Sequence, residues 1–126
     1  MDSTIVIDVD GTLCRLKRPN EGYANVEPNM DVIATLKQYS HQGYKIALYT
    51  SRNMRSYSNN TGKIIANTLP VLIEWLNRHD VPYDEIHVGK PWPGPSGFYV
   101  DDRTVRPEEF VSMTEDQIQE LLRNER

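Results

Sequence analysis

The chain has 126 residues, of which 38% are hydrophobic and 25% are charged, and these values favour a globular protein with one core. The length excludes a catalytic domain joined to a separate cap domain, so we expect a single domain over residues 1–126. The net charge of −4 argues against a protein that holds nucleic acid through a broad basic surface. Apolar runs stay well below the roughly 18 residues of a membrane span. With the lone Cys14 and no basic leader before Ile5, this predicts a cytoplasmic protein.

The first predicted strand, residues 4–9, ends in a pair of acidic residues followed by a glycine. Asp8 and Asp10 are two positions apart, so in an extended segment both side chains lie on one face. Neighbouring carboxylates repel each other unless a cation or a proton intervenes, which favours a metal site or an acid–base site. The simpler alternative is a solvated Asp-Gly turn, in which Gly11 lets the chain reverse.

Helical and strand patterns alternate along the rest of the chain. We predict further strands at residues 45–49, 85–88 and 98–100. A crossover helix is predicted from apolar spacing, with an entry turn at Pro28, a C-terminal cap at Gly43 and an apolar stripe of Val32, Ile33, Leu36 and Tyr39. The alternation predicts an α/β fold with a doubly wound, mainly parallel sheet flanked by helices.

Two further helices complete the predicted fold. One covers residues 62–79 and is kinked or split at Pro70, because proline cannot donate the helical hydrogen bond. The other covers residues 115–123 with Thr114 as its N-cap. Residues 52–61 lack apolar periodicity and are predicted to form a mobile loop. Trp92 is expected to pack on the turn-rich segment that follows it, with stacking on a ligand as the alternative.

Polar side chains follow each of the later predicted strands. Thr50 and Ser51 follow the second strand, Lys90 the third, and Asp101 with Asp102 the fourth. The carboxyl ends of parallel strands lie at one edge of a sheet, so we expect these groups near Asp8. Each alone has an ordinary explanation as a solvated loop residue, but their combined order favours a phosphoryl-transfer site.

Clusters of cations fall in the same loops, which favours an anionic ligand over chance solvation. These cations are Arg15, Lys17, Arg18, Arg52, Arg55, Arg103 and Arg106.

The ordered set D-V-D-G-T-L, Thr50, Lys90 and Asp101-Asp102 resembles the four motifs of the haloacid dehalogenase superfamily, over residues 5–103. That resemblance implies a doubly wound sheet, dependence on Mg²⁺ and an aspartyl-phosphate intermediate. It implies that Asp8 is the nucleophile and Asp10 the general acid and base, while Thr50 and Lys90 grip the phosphoryl group.

The same resemblance implies a Mg²⁺ site made by Asp8, the backbone carbonyl of Asp10 and a carboxylate of Asp101 or Asp102, and it leaves the choice within the last pair open. Substrate contacts are expected from residues beside the motifs, namely Gly11, Thr12, Arg15, Ser51, Arg52 and Arg103.

The short chain and the segment V-G-K-P-W-P-G-P-S-G-F-Y-V-D-D-R also resemble small capless phosphatase-like proteins found with bacterial capsular-polysaccharide genes. This implies a small sugar phosphate as substrate and no membrane partner. Without a cap, a loop or a second subunit of a homo-oligomer is expected to cover the site.

Three other functions stay open. The segment Asp101-Asp102-Arg103 also resembles polynucleotide phosphatases, which makes nucleotides or nucleic-acid 3′ ends an alternative substrate, disfavoured by the acidic charge. A phosphate-ester-binding protein without turnover is the second. A receiver-like signalling domain is the third, but its acid pair and phosphoacceptor follow the opposite order.

Overall fold

A parallel sheet of three strands forms the centre of the first part of the chain. The computed structural model describes residues 3–124 and places β1 (Thr4–Ile7), β2 (Lys45–Thr50) and β3 (Glu85–Val88) in the order β1-β2-β3. Ile7 is level with Leu48, and Thr50 is level with Val88. The ends of the three strands therefore lie along one edge, as predicted for a parallel sheet.

Helices connect the strands. Helix α1 (Met30–His41) joins β1 to β2, and α2 (Thr61–Asn67) with α3 (Leu69–Arg78) joins β2 to β3. A short 3₁₀ turn, Tyr23–Asn25, precedes α1. The predicted fold class is confirmed: this is an α/β protein with a doubly wound parallel sheet flanked by helices.

The chain divides into two compact units, Met1–Trp92 and Pro93–Arg126. The sheet, α1, α2 and α3 belong to the first unit. Helices α4 (Pro107–Ser112) and α5 (Glu115–Asn124) belong to the second. The expectation of a single domain over residues 1–126 stays a prediction.

The predicted helix signals act as expected. All four residues of the apolar stripe of α1 are buried, and Gly43 leaves the helix with φ of +102°, a conformation that favours glycine. Pro70 lies in the first turn of α3, so the predicted helix over residues 62–79 is split at Thr68 into α2 and α3. Thr114 caps α5, since its Oγ1 accepts from the Gln117 amide at 3.2 Å and Gln117 Oε1 accepts from the Thr114 amide at 2.8 Å.

The predicted strand at residues 98–100 is wrong. Those residues have no strand conformation, and their side chains are largely exposed, with Phe98 at 79% and Val100 at 89%. A strand forms only where a neighbouring strand can pair with it, and local β-propensity does not supply that partner. The turn before these residues is tight, because a Cβ atom at Gly97 would collide with the carbonyl oxygen of Pro93.

The core of the first unit lies between the sheet and its helices. Its members from strand β2 are Ile46 and Leu48, and Trp75 of α3 is the largest side chain with no exposed surface. The Trp75 indole N–H donates to the carbonyl of Val26 at 2.8 Å, so its burial leaves no unpaired donor. Within residues 3–124, no helix is long and apolar enough to cross a membrane.

We expect Trp75→Phe to lower the free energy of unfolding by about 1–3 kcal/mol, because it leaves the Val26 carbonyl unpaired and opens a small cavity. Urea denaturation followed by far-ultraviolet circular dichroism measures the loss. Ile65→Ala, at an exposed position of α2, is the control and should change stability by less than about 0.5 kcal/mol. Equal effects of the two changes would contradict the role of Trp75.

Candidate active site

A tight turn follows β1 and sets the positions of the two acidic residues. The Val9 carbonyl accepts the amide N–H groups of Thr12 at 3.1 Å, Leu13 at 2.9 Å and Cys14 at 3.3 Å. Gly11 has φ of +86°, which a side chain would strain. Val9 itself has no exposed surface, so it anchors the turn in the core between the two partly exposed acids.

Asp8 lies against Lys90. The Lys90 Nζ is 3.5 Å from Asp8 Oδ1, and both side chains are mostly buried, at 18% and 32% exposed. Burial raises the pKa of Asp8 above its ordinary value, and the charge of Asp10 adds to this, while Lys90 opposes it. Lys90 is therefore the cation that opposes the effect of burial on this carboxyl group.

Thr50 connects the end of β2 to both cations of the site. Its carbonyl accepts from the Lys90 amide at 3.1 Å, and its Oγ1 accepts from the Arg52 amide at 3.1 Å. The side chain is buried, at 1% exposed. A hydroxyl that accepts one bond keeps its own proton for donation, so Thr50 can still donate to a phosphoryl oxygen.

Asp10 is held by a two-point ion pair with Arg52. Arg52 Nε donates to Asp10 Oδ2 at 3.1 Å, and Nη2 donates to Oδ1 at 2.8 Å. The guanidinium side chain has no exposed surface. The phenol ring of Tyr23 covers it, with the guanidinium carbon 4.2 Å from the ring centroid. Arg52 was predicted to contact substrate, and the structure places it beneath Tyr23 as the partner of the second aspartate.

Cys14 is also close to Asp10, with its Sγ 3.5 Å from Oδ1. Burial, with the charge of Asp10, raises the pKa of the Cys14 thiol to about 12. The thiolate is the nucleophilic form of cysteine, so a thiol that stays protonated at neutral pH is a packing residue here.

A cavity of about 310 Å³ adjoins Arg52. Its walls include the rings of Tyr23 and Tyr57 and the side chain of Thr68. Thr68 Oγ1 donates to Asn53 Oδ1 at 2.7 Å. Within the described part of the chain, Arg52 Nη1 is the one guanidinium nitrogen of this residue without a hydrogen-bond partner.

The segment predicted as a loop after β2 is wound into consecutive turns. The Met54 amide donates to Ser51, the Tyr57 amide to Asn53 and the Asn59 amide to Met54, at 3.0, 3.0 and 2.8 Å. The Met54 side chain is buried and anchors the segment. The expectation that it moves over substrate stays a prediction.

Arg15, predicted to contact substrate, is held by acidic neighbours. Its Nη1 is 2.6 Å from Glu21 Oε1, and its Nε is 3.3 Å from Glu27 Oε2. The hydrogen bonds that Glu21 accepts from the Arg15 guanidinium and from the Arg18 amide lower the pKa of Glu21 to about 2. The predicted residues Gly11, Thr12 and Ser51 lie within or beside the turns already described, and the Thr12 carbonyl accepts from Asn29 Nδ2 at 2.9 Å.

The remaining predicted residues belong to the second unit. Asp101, Asp102 and Arg103 are exposed there, and Asp101 Oδ1 accepts from the Arg103 amide at 2.8 Å. Within residues 3–124, no three acidic, histidine or cysteine side chains are grouped closely enough to hold a metal ion. The roles of Asp101 or Asp102 as metal ligand and of Arg103 as substrate contact stay predictions.

Two features of the site have no signal in the sequence. Arg52 and Asp10 are far apart along the chain, and an arginine after a strand does not by itself indicate which carboxylate it pairs with. Tyr23 lies in a 3₁₀ turn that no periodicity predicts. Only folding places its ring on the Arg52 guanidinium.

The fold and these side chains define an α/β protein with paired acids and two cations at the carboxyl edge of a parallel sheet. The chain is 49% identical to a target protein from Vibrio cholerae, whose crystal structure matches with a TM-score of 0.94 over 98% of this chain and 99% of that one. The chain belongs to the same family as this Vibrio cholerae protein.

More distant likeness is to chains of two solved assemblies. One is the Pnkp1/Rnl/Hen1 complex, with a TM-score of 0.52, 21% identity, and coverage of 90% of this chain and 35% of that one. The other is the Pnkp1/Rnl/Hen1 RNA repair complex, with a TM-score of 0.50, 19% identity, and coverage of 98% of this chain and 40% of that one. These matches show a shared fold. No protein-family model matches the chain, and neither does any curated protein.

The Asp10–Arg52 pair should behave as one energetic unit. In a double-mutant cycle of Asp10→Asn and Arg52→Met, we expect a coupling energy of about 1–3 kcal/mol in urea denaturation, because each single change leaves a buried polar partner unmatched. Additivity of the two changes within about 0.5 kcal/mol would contradict the ion pair.

Proposed function

We propose that the protein is a Mg²⁺-dependent phosphatase of the haloacid dehalogenase type, which cleaves a phosphate monoester through an aspartyl phosphate on Asp8. The observation that supports this most directly is the arrangement of Asp8, Lys90 and Thr50. The three residues lie at the ends of three parallel strands. The Lys90 ammonium is 3.5 Å from the Asp8 carboxylate, and the Thr50 carbonyl accepts from the Lys90 amide. This set can attack and hold a phosphoryl group.

In the first step, an Asp8 carboxylate oxygen attacks phosphorus and the bond from phosphorus to the leaving oxygen breaks. Lys90 and the Thr50 hydroxyl neutralise and orient the phosphoryl oxygens. Asp10 enters this step in its protonated form and gives that proton to the leaving oxygen, so the alcohol departs neutral. Arg52 is a positioning residue, since it is covered by Tyr23 and contacts Asp10 at both oxygens.

In the second step, water attacks the phosphorus of the aspartyl phosphate. Asp10 now takes the proton from that water, and the bond from phosphorus to Asp8 breaks. Inorganic phosphate leaves, and the Asp8 carboxylate is regenerated. The same residue serves as acid and then as base, as the reversal of proton flow requires.

The residues present fit a magnesium ion. Mg²⁺ prefers carboxylate and carbonyl oxygens, and it commonly takes only one or two carboxylates beside water and substrate phosphate. The Asp8 carboxylate and the Asp10 backbone carbonyl would hold it, with Asp101 or Asp102 as the predicted further ligand. When bound, it neutralises charge on the phosphoryl oxygens and so favours attack by a carboxylate.

The proposed substrate is a sugar phosphate. Nucleotides and 3′-phosphorylated RNA form the second candidate class, because chains of an RNA repair complex share this fold. We expect a protein that acts in the cytoplasm, alone or as a homo-oligomer that covers its own open site.

We expect Asp8→Asn to reduce turnover by about 10³-fold or more, because the amide oxygen cannot form the intermediate. Phosphate release is measured with hexose phosphates, nucleoside monophosphates and 3′-phosphorylated oligonucleotides, with magnesium or with EDTA. Asp80→Asn makes the same chemical change at an exposed position and should keep full activity. Comparable turnover by the Asp8→Asn and wild-type proteins would overturn the role of Asp8.

We expect Lys90→Met to move the acidic limb of kcat/KM to higher pH. Burial already raises the pKa of Asp8, and Lys90 lowers it, so removing that cation raises it further. Activity needs the ionised carboxylate and is gained as pH rises through that pKa. Lys45→Met, at the opposite end of β2, is the control. An unchanged acidic limb of the kcat/KM profile in Lys90→Met would show that Lys90 does not influence the pKa of Asp8.

A further inference from the structure

An exposed tryptophan stands beside the proposed phosphoryl site. Trp92 is 43% exposed and lies two residues after Lys90, which contacts Asp8. Pro91 and Pro93 flank it, and a proline restricts both its own backbone and that of the residue before it. The Lys90 amide is bonded to the Thr50 carbonyl, so the start of this segment is fixed to β2. The indole is therefore held near the site by a stiff connection.

An arginine lies over the same ring. The guanidinium carbon of Arg55 is 5.6 Å from the Trp92 ring centroid. Within residues 3–124 the structure gives Arg55 this ring contact and no hydrogen bond or ion pair from its side chain. Its backbone is fixed, because the Ser58 amide donates to its carbonyl at 3.2 Å and the neighbouring Met54 is buried. The guanidinium donors remain available to a ligand.

We propose that Trp92 and Arg55 form the subsite for the sugar ring of the substrate. This inference rests on the proposed function, since it takes Asp8 and Lys90 as the position of the phosphoryl group. The C–H groups on one face of a sugar ring carry partial positive charge and pack on the negative face of the indole. The Arg55 N–H groups donate to ring hydroxyl oxygens, which supplies the few directed polar contacts of a ligand site.

Spacing favours a sugar ring over a nucleobase. Two residues of extended chain span at most about 7 Å, so the backbone of Trp92 lies within that distance of the backbone of Lys90, whose side chain sets the phosphoryl position. A hexose phosphate has its ring directly beside the phosphate. In a nucleotide, the ribose separates the base from the phosphate, so the base would lie beyond the indole.

Kinetics with two substrates test the subsite. For a hexose phosphate, Trp92→Ala should raise KM about tenfold and leave kcat within about twofold, because the lost contact is the same in ground state and transition state. Glycerol phosphate has no ring, and its KM should not change. Trp92→Phe should keep part of the effect. Ile65→Ala removes another exposed apolar side chain, from α2, and should change neither substrate's KM.

Fluorescence gives a readout that does not depend on turnover. The chain has two tryptophans, and Trp75 is fully buried, so exposed emission comes from Trp92. Titrating the Asp8→Asn protein with a hexose phosphate should change that emission. Trp92→Phe in the same background should abolish the change, and Arg55→Ala should weaken the fitted affinity about threefold to tenfold.

Three results would overturn the subsite. These are equal KM increases for glycerol phosphate and the hexose phosphate, an effect confined to nucleoside monophosphates, and unchanged Trp92 emission at millimolar hexose phosphate. The proposed function fails separately, if the wild-type protein releases phosphate from no member of the panel. The fluorescence titration then still decides whether Trp92 contacts a sugar ring.

Discussion

The repulsion between Asp8 and Asp10 is the constraint on which the rest of the site depends. The turn after β1 keeps these two carboxylates close together in a partly buried position. Each is matched by one cation from a different part of the chain, Lys90 for the first and Arg52 for the second. Thr50 connects the two cations, since its carbonyl bonds the Lys90 amide and its hydroxyl bonds the Arg52 amide. Thr50, at the end of β2, thus positions the two cations that pair with the carboxylates after β1.

The two ion pairs differ in what they leave open to a ligand. Arg52 is fully buried beneath Tyr23 and bonded to both oxygens of Asp10, so its contribution is to orient that carboxylate. Lys90 is joined to Asp8 by one contact of 3.5 Å and retains some exposed surface, so it can also meet a phosphoryl group. This asymmetry agrees with the different roles proposed for the two aspartates, one reacting with phosphorus and the other moving protons.

The surroundings of Lys90 link the proposed phosphoryl site to the proposed sugar subsite. The backbone runs from the Thr50 contact through Pro91 to the exposed indole of Trp92, and Arg55 reaches the same ring from the turns after β2. A ring held there would lie beside a phosphoryl group held by Lys90. The substrate does not follow from the family shared with the Vibrio cholerae protein or from the fold shared with RNA repair chains, because a fold alone does not select a substrate.

The sequence by itself determined the three strands of the sheet, most of the helices and the order of the chemical groups. The alternation of strand and helix patterns along the chain predicted the parallel sheet. Apolar spacing predicted α1 and proline chemistry predicted the break between α2 and α3, because these signals act within a few residues. The D-x-D pair and its neighbours at strand ends were visible for the same reason. Only the tertiary structure decided that Arg52 pairs with Asp10, that Tyr23 covers this arginine and that residues 98–100 form no strand. Each of these depends on which distant segments meet when the core closes, and local sequence does not encode a contact between segments that many residues separate.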